Sequence, residues 1–364
     1  MKIAQICYSG LGGHSGVVFP LISADFKNKH DWAIGFVGNT SMLQDFKDRC
    51  EDLGVQYAQF KFHSGLPFAQ WIKLFFWLKE INPQSIICHN PSFILPCKLY
   101  SWLYQGKLVT VEHTNNKLKR NREWIFTYLS LLLSDEVVVL TLNYKNEVKN
   151  FFSGFLKERS ISIIPNGIDI QLFPMIEDSL QRTFSTKVFK VGMAGRFSNT
   201  KRQDLLVETL KKIKQSKPEF NIQLSLAGNG PELEKTERIV ENHDLGLFVT
   251  FEGLLDEIEL AEWYSTLDLY AHASSGETLS ISLLQAMSCG LPIIASDVDG
   301  ISNLLKQDEV YGLCIANDPV LFAEAVLSVS MNYQDAKSTG IKASIAVEKK
   351  YSNHSMLDNY MELL

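Results

Sequence analysis

The chain has 364 residues, 46% of them hydrophobic and 21% charged, with a formal net charge of -6. This is ordinary globular composition with material for two domains of about 100–200 residues each, and the acidic balance excludes a strongly basic, whole-protein nucleic-acid footprint. The six cysteines (Cys7, Cys50, Cys88, Cys97, Cys289 and Cys314) form no C-x-x-C pair, so neither a zinc site nor a disulfide framework is expected and a reducing cytoplasm fits best.

The sequence opens without the charged region, apolar run and small-residue cleavage pattern of a signal peptide. No apolar run reaches the roughly 18 residues of a spanning helix. From the start, short β-like runs alternate with helix-like segments. The first series of strands is predicted at 2–7, 32–37, 55–60, 85–88, 108–112, 136–140 and 160–164. The second is predicted at 188–193, 222–227, 248–251, 269–271 and 292–295. Strands alternating with helices imply βαβ units, and near-continuous apolar runs such as Val137-Val138-Val139-Leu140 suit parallel sheets covered on both faces.

The first strand leads into SGLGGHSGV, with glycines at 10, 12, 13 and 16. A dinucleotide fold would place an acid at the end of the second strand to hold a ribose. That strand instead ends Val37-Gly38-Asn39-Thr40, and the glycine spacing also departs from the dinucleotide pattern. A dehydrogenase reading is therefore set aside. Residues 66–78 are aromatic and weakly charged, and in 115–126 Lys117, Lys119, Arg120 and Arg122 adjoin Trp124 and Phe126. Basic residues beside aromatic ones suit contact with a membrane surface, although a solvated helix face over a core would read the same way. The turn-rich IPNGIDIQLFP and the polar stretch after it, near 165–184, mark the join between two doubly wound domains, 1–170 and 171–349.

The second half carries four patterns at successive strand ends, where ligands of open α/β sheets bind. In AGRFSNTKRQDLL, Gly195 turns the chain, and Arg196 and Lys201 lie just before or at a helix start, a combination that suits an anion. LAGNGPELE places Pro231 where it suits the first turn of a helix. FEGLLDEIEL, from residue 251, is another strand-end loop running into a helix. In SSGETLSISLLQAMSCGLPIIASDVDG, Glu277 stands in a polar loop, Thr278, Leu279 and Ser280 are read as entering a helix with free N–H groups, and Gln285 follows eight residues after Glu277. Each pattern alone is compatible with solvated loops; together they are specific.

Together with VEHTN from Val111, IPNGID from Ile164 and Gly12-Gly13, these motifs resemble the retaining GT-B glycosyltransferases of family 4 over essentially the whole chain. The resemblance implies two Rossmann-like domains facing an interdomain cleft. The N-terminal one would bind the acceptor and the C-terminal one a nucleotide-sugar donor, with a terminal helix at 350–364 packing back on the first domain. It matches Arg196 and Lys201 to the pair that binds the donor diphosphate, and Glu277 to the acid that contacts donor-sugar hydroxyls. Gly195, Thr278, Leu279 and Ser280 fall with the donor-binding backbone, Leu254 and Leu255 where the base is held, Gly12 and Gly13 in a loop reaching the diphosphate, and His113 near the donor sugar and acceptor. The second acid of the family's E-x7-E motif is Gln285 here. An amide can still hold a ribose, without the charge that strengthens such bonds.

The implied activity is transfer of a hexose-type sugar, with retention, from a UDP-sugar or next a GDP-sugar to a hydroxyl of a glycan or lipid-linked acceptor in surface polysaccharide or glycolipid synthesis. A retaining double displacement needs two carboxylates. Gln285 cannot serve as one, so front-face transfer is expected. No cofactor and no metal are called for. Asp297-Val298-Asp299 has a metal-binding look, but it matches a loop used without metal. The expected partners are donor and acceptor, no nucleic acid, and a membrane surface at the inner face of the cell membrane. The rival readings are a GT-B sugar-nucleotide epimerase and a non-catalytic sugar-nucleotide-binding subunit of a transferase complex.

Overall fold

The computed structural model describes residues 1–10, 15–25, 29–63, 65–114, 116, 119–152, 161–176, 188–306 and 309–364. The chain forms two compact units, Met1–Ile168 with Ser352–Leu364, and Asp169–Tyr351. The chain passes into the second unit within the Pro165–Pro174 turn.

Unit 1 runs β1 (Lys2–Tyr8), α1 (Ser15–Ala24), β2 (Asp31–Gly38), α2 (Gln44–Asp52), β3 (Gln56–Lys61), α3 (Phe68–Ile81), β4 (Ser85–Cys88), α4 (Ile94–Tyr104), β5 (Lys107–Glu112), α5 (Asn121–Leu133), β6 (Glu136–Val139), α6 (Leu142–Phe151) and β7 (Ile161–Ile163). All its strand pairs are parallel, in the order β3-β2-β1-β4-β5-β6-β7. Ala4, Ile6, Ala33, Val37, Ile86 and Leu108 pack one face of this sheet onto Leu74, Leu78 and Ile81 of α3 and Ile94, Cys97 and Tyr100 of α4. The other face meets Phe19 of α1 and Phe46 of α2 through stacked and tilted rings around Phe36.

Unit 2 runs β8 (Phe189–Ala194), α7 (Gln203–Ser216), β9 (Ile222–Ala227), α8 (Leu233–Asn242), β10 (Val249–Gly253), α9 (Glu257–Thr266), β11 (Leu269–His272), α10 (Ile281–Ser288), β12 (Ile293–Ser296), α11 (Asp299–Leu305), β13 (Leu313–Ile315), α12 (Pro319–Met331) and α13 (Tyr333–Lys350). The terminal helix α14 (Asn353–Leu363) belongs to unit 1 and packs on α1. Unit 2 is again wholly parallel, in the order β10-β9-β8-β11-β12-β13. Both sheets are Rossmann-like, and both reverse direction between the first and fourth strands, which is where such sheets bind ligands.

Of the thirteen strands among the described residues, twelve lie where the apolar runs predict them. The thirteenth, Leu313–Ile315, is three residues at a sheet edge, too short to show a period. Helix starts differ more. The helix read as beginning at Thr278 begins at Ile281, with Ser280 as its N-cap residue. Helix α7 begins at Gln203, which leaves Arg196 and Lys201 in the preceding loop. Helix α8 begins at Leu233, beyond Pro231. Gly300 lies inside α11.

Candidate active site

The switch point of unit 2 lies between β8 and β11, and the loops leaving both strands meet there. The loop after β8 is stitched to the exit of β11. Lys201 and Ser274 form an antiparallel bridge, the Arg202 N–H donates to the Ala273 carbonyl at 3.0 Å, and the Ser275 N–H to Thr200 at 2.8 Å. Below them, Gln203 is buried and donates to the carbonyls of Gly195 and Arg196 at 3.3 and 3.4 Å. The stitching places the Lys201 ammonium against the Glu277 carboxylate as an ion pair, both side chains mostly buried.

Under this pair lies His272, the last residue of β11 and fully buried. Its Nε2 is 3.2 Å from Glu277 Oε1 and 3.3 Å from Lys201 Nζ, and its Nδ1 is 3.2 Å from the Tyr270 hydroxyl. Burial, reinforced by the Lys201 charge, pushes the imidazole down to about 4 against the opposing pull of Glu277, so it is neutral near pH 7. Burial alone would raise the Glu277 carboxyl. Lys201 and His272 beside it outweigh that and bring it to about 2, so it is ionised. The result is one carboxylate and one ammonium in contact over a neutral imidazole. Nothing in the sequence pointed to His272; its only signal is a histidine closing the apolar run Leu269-Tyr270-Ala271.

The loop carrying Glu277 and Thr278 crosses directly over Gly300. A Cβ there would lie 2.2 Å from the Glu277 carbonyl oxygen, so only glycine admits this approach. Leu279 and Ser280 are buried at the start of α10, whose first-turn N–H groups have no partner within the helix. Gln285 is buried one turn further on, its amide oxygen 3.4 Å from the Tyr264 hydroxyl. Arg196 is exposed. Leu254, exposed, and Leu255, half-buried, lie on the loop after β10. That strand is two positions from β8, roughly 10 Å at the usual strand spacing, and these residues stand apart from the hydrogen-bonded cluster. Asp297 is bonded by the Ser302 hydroxyl and paired with Lys306 at 3.5 Å.

Unit 1 has a second polar cluster at its own switch point. His113, half-buried after β5, places Nε2 3.0 Å from Nδ1 of buried His89, which follows β4. His89 Nε2 is 2.9 Å from Gln5 Oε1 on β1. Gly12 and Gly13 lie outside the described residues. Lys119, read from sequence as part of a surface basic cluster, is instead buried. Its ammonium pairs with Glu112 at 2.7 Å and also donates to Thr127. Lys117 lies outside the described residues.

Two doubly wound Rossmann-like units of this order define the GT-B architecture. The solved structure of HepE from Anabaena with UDP and glucose has that fold. It superposes with a TM-score of 0.81 over 100% of this chain and 99% of that one, at 18% identity. Sequence models of the family match both units, "Glycosyltransferase Family 4" over residues 37–172 and "Glycosyl transferases group 1" over 188–332. The chain belongs to the family 4 glycosyltransferases and is a transferase enzyme of that group. It is 24% identical over 353 residues to an uncharacterized glycosyltransferase of Methanocaldococcus jannaschii, covering 90% of this chain and 88% of that one. It is 26% identical over 319 residues to the O-antigen biosynthesis glycosyltransferase WclY of Escherichia coli, covering 84% and 83%. Other curated relatives are matched over less of their length, 47% of one and 33% of another.

Proposed function

We propose that the protein moves a hexose-type sugar, with retention of anomeric configuration, from UDP to a hydroxyl of a glycan or lipid-linked acceptor in the making of a surface polysaccharide or glycolipid. The observation that carries the proposal is the Lys201–Glu277 pair over neutral His272 at the unit 2 switch point. A diphosphate would draw Lys201 off Glu277, and the freed carboxylate would accept hydrogen bonds from the sugar hydroxyls. UDP is favoured because HepE was solved with it. The surface role is favoured because WclY is named for O-antigen biosynthesis.

In this reading unit 2 takes the donor and unit 1 the acceptor. Arg196, Lys201 and the amides of Thr278–Ile281 meet the charge that grows on the departing diphosphate, and fixed charge of this kind is often the largest catalytic contribution. The reading therefore routes no step through a metal or cofactor. Leu254 and Leu255 face the base, Gln285 the ribose, Gly195, Gly12 and Gly13 the diphosphate, and His113 the acceptor side of the sugar. The bond from C1 to the leaving phosphate oxygen breaks as the bond from C1 to the acceptor oxygen forms on the same face. The acceptor proton passes to the diphosphate. Glu277, released by Lys201 and still beside His272, serves the sugar hydroxyls rather than C1.

The test is incubation with UDP-glucose, UDP-galactose or UDP-N-acetylglucosamine and a panel of glycan acceptors, with UDP release and the product's anomeric proton coupling as readouts. UDP is expected only when acceptor is present, with the donor's α configuration kept. UDP-sugar conversion without acceptor, or an inverted product, overturns the proposal.

A further inference from the structure

Three neighbouring strands of unit 1 end in one hydrogen-bonded chain. Gln5 lies on β1, His89 follows β4 and His113 follows β5, and these strands are adjacent in the order β1-β4-β5. Gln5 and His89 are buried, while His113 is half-buried at the end of its strand. Gln5 is the odd residue of β1, since Ile3, Ala4, Ile6 and Cys7 around it are apolar and buried. Its amide nitrogen has no hydrogen-bond partner among the described residues, an exception that calls for an explanation. Its amide oxygen has one, His89 Nε2 at 2.9 Å. The backbone of His89 is tied to the same strand, its N–H donating to the Ile6 carbonyl at 2.9 Å. Backbone and ring of His89 are thus both held from β1.

The direction of hydrogen bonding then passes along the chain. An amide oxygen only accepts, so His89 carries its proton on Nε2. Burial favours the uncharged ring, and in that form Nδ1 is an acceptor. It faces His113 Nε2 at 3.0 Å, so His113 supplies the proton there. The ring centres are 5.3 Å apart, a separation that the 3.0 Å contact and the two ring radii fill, so the rings meet end to end as an in-plane lone pair requires. The proton of His113 is thereby fixed on Nε2, and Nδ1 is the acceptor of that ring.

We propose that His89 is a positioning residue, which with Gln5 holds His113 in the Nε2–H form so that Nδ1 accepts a hydrogen bond from a sugar hydroxyl. The inference rests on the reading above that sets His113 at the acceptor side of the sugar, but the place of the proton is measured without transfer. Long-range proton–nitrogen correlation spectra of protein labelled with nitrogen-15 histidine, with His113→Gln to assign the ring, should show His113 protonated on Nε2. In His89→Leu that preference should be lost. Turnover of His89→Leu should fall about tenfold, the size of one misdirected hydrogen bond, with UDP affinity unchanged because unit 2 is untouched. His89→Asn puts a side-chain oxygen where Nδ1 stood, and should restore both the spectrum and most of the turnover. His113 protonated on Nδ1 in the wild type overturns the inference. So does full turnover in His89→Leu, or a His89→Asn variant no better than His89→Leu, because His89 would then only fill space. Failure of all these proteins to bind UDP would count against the proposed function instead, and the spectra would still decide the role of His89.

Discussion

Replacing His272 by glutamine should make unit 2 less sensitive to acid, by an amount the structure sets. At pH 7 His272 is neutral in the folded chain and mostly neutral in the unfolded one, so it adds little pH dependence there. Below its ordinary value of 6.5 the unfolded chain takes up a proton that burial and Lys201 deny the folded chain until about pH 4. The unfolded state then binds more protons, so stability falls as the pH drops through that window. At pH 5, 1.5 units below 6.5, the loss is about 2 kcal/mol at roughly 1.36 kcal/mol per unit. Glu277 does not interfere. Its folded value of about 2 means that its contribution is present above 4.5 and is lost only on further acidification towards 2. For a unit the size of Asp169–Tyr351, about 2 kcal/mol corresponds to roughly 4–8 °C in melting temperature. Scanning calorimetry at pH 7 and pH 5 should show the wild type losing that much more than His272→Gln, whatever the variant loses at pH 7 from its missing hydrogen bonds. Equal losses would show that His272 is not held neutral by its surroundings.

Lys119→Met should destabilise unit 1 by about 3–5 kcal/mol, because it strands a buried Glu112 carboxylate whose Oε1 has no hydrogen-bond partner among the described residues. Lys119→Met/Glu112→Leu should recover most of that in urea unfolding, and no recovery would deny the pair its role. Gly300→Ala should weaken UDP binding at least tenfold by calorimetry, since the new methyl would sit 2.2 Å from the Glu277 carbonyl and 2.6 Å from that of Thr278; unchanged affinity would separate this loop from the donor. Arg196→Ala removes an exposed side chain and should leave the melting temperature unchanged while cutting turnover by about two orders of magnitude or more. Near-normal turnover would end its assignment to the leaving group.

The architecture was legible because parallel strands buried on both sides leave unbroken apolar runs, as in Val137-Val138-Val139 and Ile293-Ile294-Ala295. The alternation of such runs with helices is what a doubly wound sheet requires. Helix starts were less legible. The stretch from Thr278 to Ser280 carries good capping residues, but the crossing over Gly300 keeps it out of the helix. The charged members of the candidate site, Lys201 and Glu277, stood out by motif. Their neutral support did not, because one histidine at the end of an apolar strand looks like any buried residue until the strand order sets it between loops 71 and 5 residues away. Lys119 misled for the opposite reason. Its neighbours in sequence are basic and polar, while the partners that bury it, Glu112, Thr127 and Tyr144, come from three elements.

The central claim, that unit 2 holds a uridine nucleotide-sugar through Arg196, Lys201 and Glu277, is tested most directly by thermal shift of the wild type and Lys201→Ala with UDP, GDP, ADP and CMP. A ligand at 100 times its dissociation constant adds about 2.7 kcal/mol to the folded state. The account predicts a clear rise with UDP, a larger one with its sugar conjugate, and loss of both in Lys201→Ala. A wild type that ignores every nucleotide, or a UDP shift that survives the substitution, would contradict it.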